Sequence, residues 1–428
     1  MSGPSKLPVV TIQPTFIEVI EEVRAGLVPS DKFWLSCDNH SEHSIHSKVR
    51  VTLDEVNRNT VQFEPSGEVE ITESGQNNYV VSSKRGIPDT KLFTPAHQYA
   101  DPTRANPQHP HRITAFDVAP DGSQFATGFL DGSVHIYGTE MKNPPVETAF
   151  GKPHKSTTTS LQFFPSSRVL LSAGADFTLC VLPADPAPSS SALTPARTFT
   201  GHRRAITSTA IVARGRNIVS AALDGTVRLW DVSSGEKIHV LAAGGGSYAP
   251  VNSMSLGARA TAALPAAAPA AAAPDPREVD TADKLVFCAL QTNSFEAFDL
   301  GARAPVHASM PGAAPLTAID YAPAHSLLAT GSAAGVVEVF DTRALGTPVA
   351  AFTRGEAGVV GLRFAGDGQA LVVGTADGLA FVAGISPLRV GAELVGADCD
   401  PVRGLCVVGR DVWSAADDGI VRRYAAAC

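Results

Sequence analysis

The chain has 428 residues, which at about 100 to 200 residues per domain leaves room for two or three domains or one long repeat array. It is 44% hydrophobic, 18% charged and 7% aromatic, a composition that excludes a wholly disordered chain and a coiled coil. Lys and Arg number 34 against 42 Asp and Glu, so a net charge of -8 gives no general pull towards polyanions, and nucleic acid is not an expected partner.

With 37 Gly and 31 Pro, turns are frequent, as an all-β chain of many short strands requires. The six cysteines are far apart and include no Cys-x-x-Cys pair, so they are read as reduced thiols of a cytosolic or nuclear protein. No basic stretch followed by an apolar core opens the chain, so neither a secretory signal nor membrane association is expected.

Residues 1–90 follow no long period. Alternating apolar runs at 49–53, 69–72 and 79–83 predict strands, and residues 16–23 fit a strand or a short helix. A small β-rich N-terminal domain is expected, acidic with 8 Lys and Arg against 13 Asp and Glu. His40, His43 and His46 lie in a Ser-rich stretch and read as a solvated loop, not a metal site.

From residue 91 a repeat sets in. Residues 201–231 open on Gly-His and close on Trp230-Asp231, the signature of a WD-repeat propeller blade, with a turn aspartate at Asp224. Asp131 and Asp176 precede it in the same apolar frame, and Asp377 and Asp418 follow it. Closings at Phe298-Asp299 and Phe340-Asp341 place two further turns at Asn293 and Gly335, which makes seven. His109, His154 and His202 each stand 22 residues before their aspartates, and Thr127, Ser172 and Ser220 each stand four before. An acidic turn, an imidazole, a hydroxyl and the Trp230 indole can form one satisfied buried polar chain that fixes register. Recurrence in successive repeats marks these residues as architecture and not as catalytic dyads. Tyr137 and Leu182 replace the tryptophan in the first two blades.

The expected architecture is therefore all-β: an N-terminal domain over 1–90 and a seven-bladed WD-repeat β-propeller over 91–428. An Ala/Pro tract at 258–276 is expected to be a disordered loop between the first two strands of blade four. Only four residues follow the last third strand, so the missing outer strand must come from upstream. Residues 91–95 are the nearest candidate, and pairing is expected between 91–98 and 419–424.

Several stretches carry a family resemblance: residues 213–220 (Ala-Arg-Gly-Arg-Asn-Ile-Val-Ser), 163–166 with 170–174, 396–402 with 418–424, and Phe-Trp-Leu-Ser-Cys at 33–37. Together they resemble the proteasomal ATPase-associated factor family and touch both domains. The resemblance implies a chaperone of proteasome regulatory particle assembly that binds the C-terminal domains of proteasomal ATPase subunits, acting in cytoplasm and nucleus and monomeric when free. Leu182 and the Ala/Pro tract depart from the family pattern.

No nucleophile elbow, phosphate-binding loop or zinc-protease helix is present, and Gly244-Gly245-Gly246-Ser247 lacks a following lysine. No enzyme activity and no cofactor or metal is expected. Residues 339–343 (Val-Phe-Asp-Thr-Arg) resemble a short box that docks some propellers on cullin ubiquitin-ligase adaptors, which gives the alternative reading of a substrate adaptor. On the face carrying the Asp224-type turns, Lys155, Arg203 and Arg204 are expected on blades two and three. Glu356, Asp398, Asp400 and Asp417 are expected on blades six and seven as the contact surface for a basic partner.

Overall fold

A computed structural model describes residues 3–40, 43–54, 60–75, 78–104, 111–142, 144–185, 191–259, 275–365 and 368–427. From residue 113 onward the described strands form seven sheets whose consecutive segments run antiparallel outward from an inner strand, with Ser191–Ala192 added in parallel to the outside of the first. The inner strands, such as Ile113–Val118, Thr158–Phe163 and Ile206–Val212, touch in succession, and the last, Val402–Val408, touches the first. The sheets are therefore the blades of a closed β-propeller, an arrangement that leaves few free strand edges.

Every inner strand carries a β-bulge at the same place, between Ile113 and Ala115 in blade one and between Val402 and Gly404 in blade seven, with five counterparts between. The extra residue is commonly a threonine aimed at the neighbouring blade. Thr114 Oγ1 donates towards Gly128 O and Thr158 O, Thr207 towards Ala221 O and Val251 O, and Thr317 towards Gly331 O and Val359 O. Asn252 does the same from blade four, donating to Leu316 O at 2.8 Å. A bulge that re-aims one side chain thus stitches blades one, three, four and five each to the next.

The register moves the expected turn positions of blades four and five by one residue. Thr292 and Ala334 take the position of Asp224, while Asn293 (φ 66°) and Gly335 (φ 75°) take that of Gly225 (φ 72°).

Ring closure comes from upstream, as expected, but through residues that overlap only the end of the expected 91–98 segment and not the 91–95 candidate itself. His97–Ala100 pairs antiparallel with Ile420–Tyr424, joining Tyr99 to Val421 and His97 to Arg423. Tyr99 is buried and stacks on Trp413 at 5.7 Å. Lys91–Phe93 instead pairs in parallel with Ala392–Leu394, the outer strand of blade six. Phe93 is still buried between blades six and seven, so its apolar character fits either place.

The N-terminal region holds a four-stranded sheet of Val9–Ile12, Ser30–Asp38, Ile45–Leu53 and Val61–Pro65. Residues 16–23 resolve as a helix, Phe16–Arg24, whose Phe16, Val19, Ile20 and Val23 recur on one face and are buried. They pack with Phe33, Val49, Val51 and Tyr79, and Phe16 meets Tyr79 edge-on at 5.3 Å. The boundary expected at residue 90 falls inside a strand. Ile87–Phe93 pairs with Asn78–Ser83 on one side and with blade six on the other, so one sheet of seven strands serves both regions. Ser5–Lys6 likewise adds a parallel strand to the outside of blade five.

The Ala/Pro tract is narrower than 258–276. Ala258 ends the strand Val251–Ala258 opposite Lys284, Arg259 pairs with Asp299, and Asp275 is hydrogen-bonded to Arg277. The expected disorder of the remainder lies outside the described residues.

Candidate functional site

In blade three the four polar residues form one hydrogen-bonded chain. Trp230 Nε1–H donates to Ser220 Oγ at 2.9 Å, Ser220 Oγ lies 2.7 Å from His202 Nε2, and His202 Nδ1 lies 3.0 Å from Asp224 Oδ2. A carboxylate only accepts, so Nδ1 carries the proton, and the Ser220 hydroxyl donates to Nε2 while accepting from the indole. Blade two repeats this without the indole: Ser172 Oγ is 2.5 Å from His154 Nε2, and Nδ1 is 3.2 Å from Asp176. Burial pushes both imidazoles below their ordinary range, against the pull of Asp176 and Asp224, which suits a neutral ring. Burial alone would raise Asp224, but hydrogen bonds from His202, Thr226 and the Arg203 amide hold its carboxyl below the usual range.

Blade one differs. His109 lies outside the described residues; Asp131 accepts from the Ser133 amide at 3.1 Å and its hydroxyl at 2.6 Å, as Asp176 and Asp224 do from Thr178 and Thr226. Thr127 is buried, and Tyr137 donates to Asp101 at 2.9 Å. Blade seven shows a substitution that the spacing rule missed. Gly396 stands 22 residues before Asp418, and the buried Arg422 guanidinium packs against it and pairs with Asp418. An arginine four residues after the turn aspartate, with glycine in place of histidine, was the available signal.

These chains hold the turns of one face in place, and that face carries the expected partner residues. Lys155, Arg203 and Arg204 are exposed, with no ion pair among the described residues. Glu356 and Asp398 are exposed, and Asp400 is half-buried, its carboxyl pushed up by burial and by the charges of Asp418 and Asp417. Asp417 is not part of this surface. It is 4% exposed and takes two hydrogen bonds from Arg403, at 2.7 and 3.1 Å, because its position in the turn directs it inward over the bulge residue of its own blade.

Two other sequence motifs are accounted for. The amides of Gly244 and Gly245 donate to the buried Glu296 at 2.8 and 2.7 Å, so the anion-binding capacity of this loop is taken by the chain's own carboxylate. Arg343 folds back on Asp341, with Nε 2.9 Å from Oδ1, and its guanidinium is more than half exposed. No group of three or more His, Cys, Asp and Glu suited to a metal occurs among the described residues. No described helix is long and apolar enough to cross a membrane.

The axial channel, about 280 Å³, is lined by inner-strand residues including Thr114, Thr159, Thr207, Asn252, Thr317 and Arg403. Towards one end Asp117 accepts from the Phe163 amide at 2.7 Å and Asp320 from the Phe364 amide at 2.8 Å. The pattern ties adjacent blades by a side chain, as the threonines do, so the channel is read as structural.

The repeats have relatives. The family described as WD domain, G-beta repeat matches residues 101–138, 146–181 and 193–231, the blades that hold the His, Ser and Asp positions. These three segments are WD repeats. The WD-repeat chain is 30% identical over 151 residues to Proteasomal ATPase-associated factor 1 of Bos taurus and to that of Homo sapiens, a match covering 35% of this chain and 37% of each relative. It is also 34% identical over 79 residues to Protein hir1 of Schizosaccharomyces pombe, 15% of this chain and 8% of that protein. The resemblance to the proteasomal ATPase-associated factors read from the sequence is thus supported for the WD-repeat chain, over about a third of its length.

Proposed function

We propose that this WD-repeat propeller is a non-catalytic binding scaffold, an assembly chaperone for the base of the proteasome regulatory particle. In this reading it binds the C-terminal domains of proteasomal ATPase subunits and works as a monomer in cytoplasm and nucleus. The observation that carries the proposal is the similarity to two proteins named Proteasomal ATPase-associated factor 1. The contact surface in this reading is the sector of Glu356, Asp398 and Asp400, exposed or half-exposed carboxylates on neighbouring blades that suit a Lys- and Arg-bearing partner. Exposed charges steer association and are screened by salt, so binding there falls as ionic strength rises.

The experiment is a binding assay of the purified chain against the isolated C-terminal domain of each proteasomal ATPase subunit at low and high salt. Binding of one subunit, weakened by salt, is expected. A chain that binds none of them and co-purifies with a cullin adaptor would be the substrate adaptor of the alternative reading.

A further inference from the structure

All seven turns between the second and third strands place one residue in the left-handed backbone region. It is glycine in five, Gly132, Gly225, Gly335, Gly378 and Gly419, with φ from 72° to 85°, and Asn293 in blade four. In blade two it is Phe177, at φ 71°. An aromatic residue there is strained, and burial offsets that strain only in part, since Phe177 is 42% exposed. Tyr248, in the loop leading into blade four, is at φ 61° and 58% exposed. Leu130, in the turn of blade one, is 56% exposed.

These three residues alternate with cations around one sector of the face. Leu130 O accepts from Thr157 in the loop that holds Lys155, and the Lys155 amide donates to Asp176, next to Phe177. The Arg203 amide donates to Asp224, and the adjoining Gly225 touches the backbone of Tyr248. Lys155, Arg203 and Arg204 have no ion pair among the described residues, while Asp131, Asp176 and Asp224 are taken up by Ser133, Thr178 and Thr226 of their own turns. The sector is therefore apolar and cationic, away from the carboxylates of blades six and seven.

We infer that Leu130, Phe177 and Tyr248, with Lys155, Arg203 and Arg204, form a second docking surface, one for an acidic polypeptide segment bearing bulky apolar side chains. Exposed aromatic anchors ringed by charge are what such a segment needs, and strain kept at an exposed aromatic points to function and not to folding. A polypeptide fits better than a membrane or nucleic acid, because the acidic sector of the same face would repel an extended polyanion. This inference is independent of the ATPase-subunit reading, which uses the opposite sector.

The test selects a random dodecapeptide phage library on the full chain. The enriched peptides are expected to combine Asp or Glu with Phe, Leu, Tyr or Trp, and to bind roughly tenfold or more weakly to Phe177→Gly and to Arg203→Glu with Arg204→Glu. Asp398→Lys should bind them as the wild type does. Phe177→Gly installs the residue of five sister turns, so its melting temperature should equal or exceed that of the wild type. Tyr248→Gly supplies the second variant. A lowered melting temperature for Phe177→Gly would make the ring a structural element and overturn the inference. So would a failure to enrich any peptide, or enrichment of peptides indifferent to these variants. Binding of phosphatidylserine vesicles or duplex DNA that depends on the same residues would also overturn it.

Discussion

Arg354 and Glu393 form a buried two-point ion pair, Nη1 to Oε2 at 3.0 Å and Nη2 to Oε1 at 2.5 Å, with side chains 8% and 6% exposed. The same guanidinium donates to Pro8 O at 3.2 Å and lies 4.2 Å from the Phe381 ring, while Glu393 accepts from the Val10 amide at 3.1 Å. The pair fastens the chain where it passes from its strand on blade five, Ser5–Lys6, into the N-terminal sheet at Val9–Ile12.

Removing one partner leaves the other charge buried and uncompensated, so Arg354→Ala or Glu393→Ala should cost about 3 to 5 kcal/mol. Arg354→Met with Glu393→Leu should cost much less, since neither charge then remains. Urea denaturation of the three variants measures this, and amide exchange at Leu7 and Val10 should speed up in the single variants.

The two buried serines of the polar chains should differ in worth. Ser220→Ala leaves both His202 Nε2 and Trp230 Nε1 unpaired, whereas Ser172→Ala leaves only His154 Nε2. At about 1 to 3 kcal/mol for each buried group left without a partner, the blade-three variant should be the less stable of the two. Equal losses in thermal unfolding would mean that the indole bond contributes nothing.

Asp117 should give stability a pH dependence of unusual sign. Burial raises its carboxyl to about 6 from 3.8, against hydrogen bonds from the Phe163 and Val118 amides and Cys406 and the charge of Arg363. Because the folded-state value is the higher one, the contribution is fully present below 3.8 and is lost as pH rises through about 6. Asp117→Asn keeps an acceptor for the Phe163 amide and cannot ionise. Its stability relative to wild type should therefore rise from pH 4 to pH 8, as denaturation at each pH would report; a flat difference would mean that Asp117 does not titrate in this range.

Charge reversal in the acidic sector should separate surface from core. Asp398→Lys with Asp400→Lys is expected to leave the melting temperature close to wild type and to weaken ATPase-subunit binding at low salt. Asp417→Lys places a cation against Arg403 in a buried site and should unfold the protein at a markedly lower temperature. Differential scanning calorimetry with the binding assay distinguishes the two.

What is local could be read from the order of residues. The turn aspartates, the histidines 22 residues before them and the hydroxyls four before report a repeating strand and turn pattern, which short-range sterics and hydrogen bonding impose wherever it recurs. Residues 16–23 stayed ambiguous because eight residues satisfy either period, and contact with the sheet beneath decided for helix. Which segment closes the ring rests on long-range contact, since Phe93 and Tyr99 are both apolar residues in upstream strands and the choice depends on which neighbour 300 or more residues away offers an edge. The tertiary structure alone showed that Ile87–Phe93 joins the N-terminal strands and blade six into one sheet and that Asp417 is buried on Arg403 while Asp398 is exposed. Burial and pairing are properties of what surrounds a residue, and in a closed ring those surroundings are assembled from the two ends of the chain.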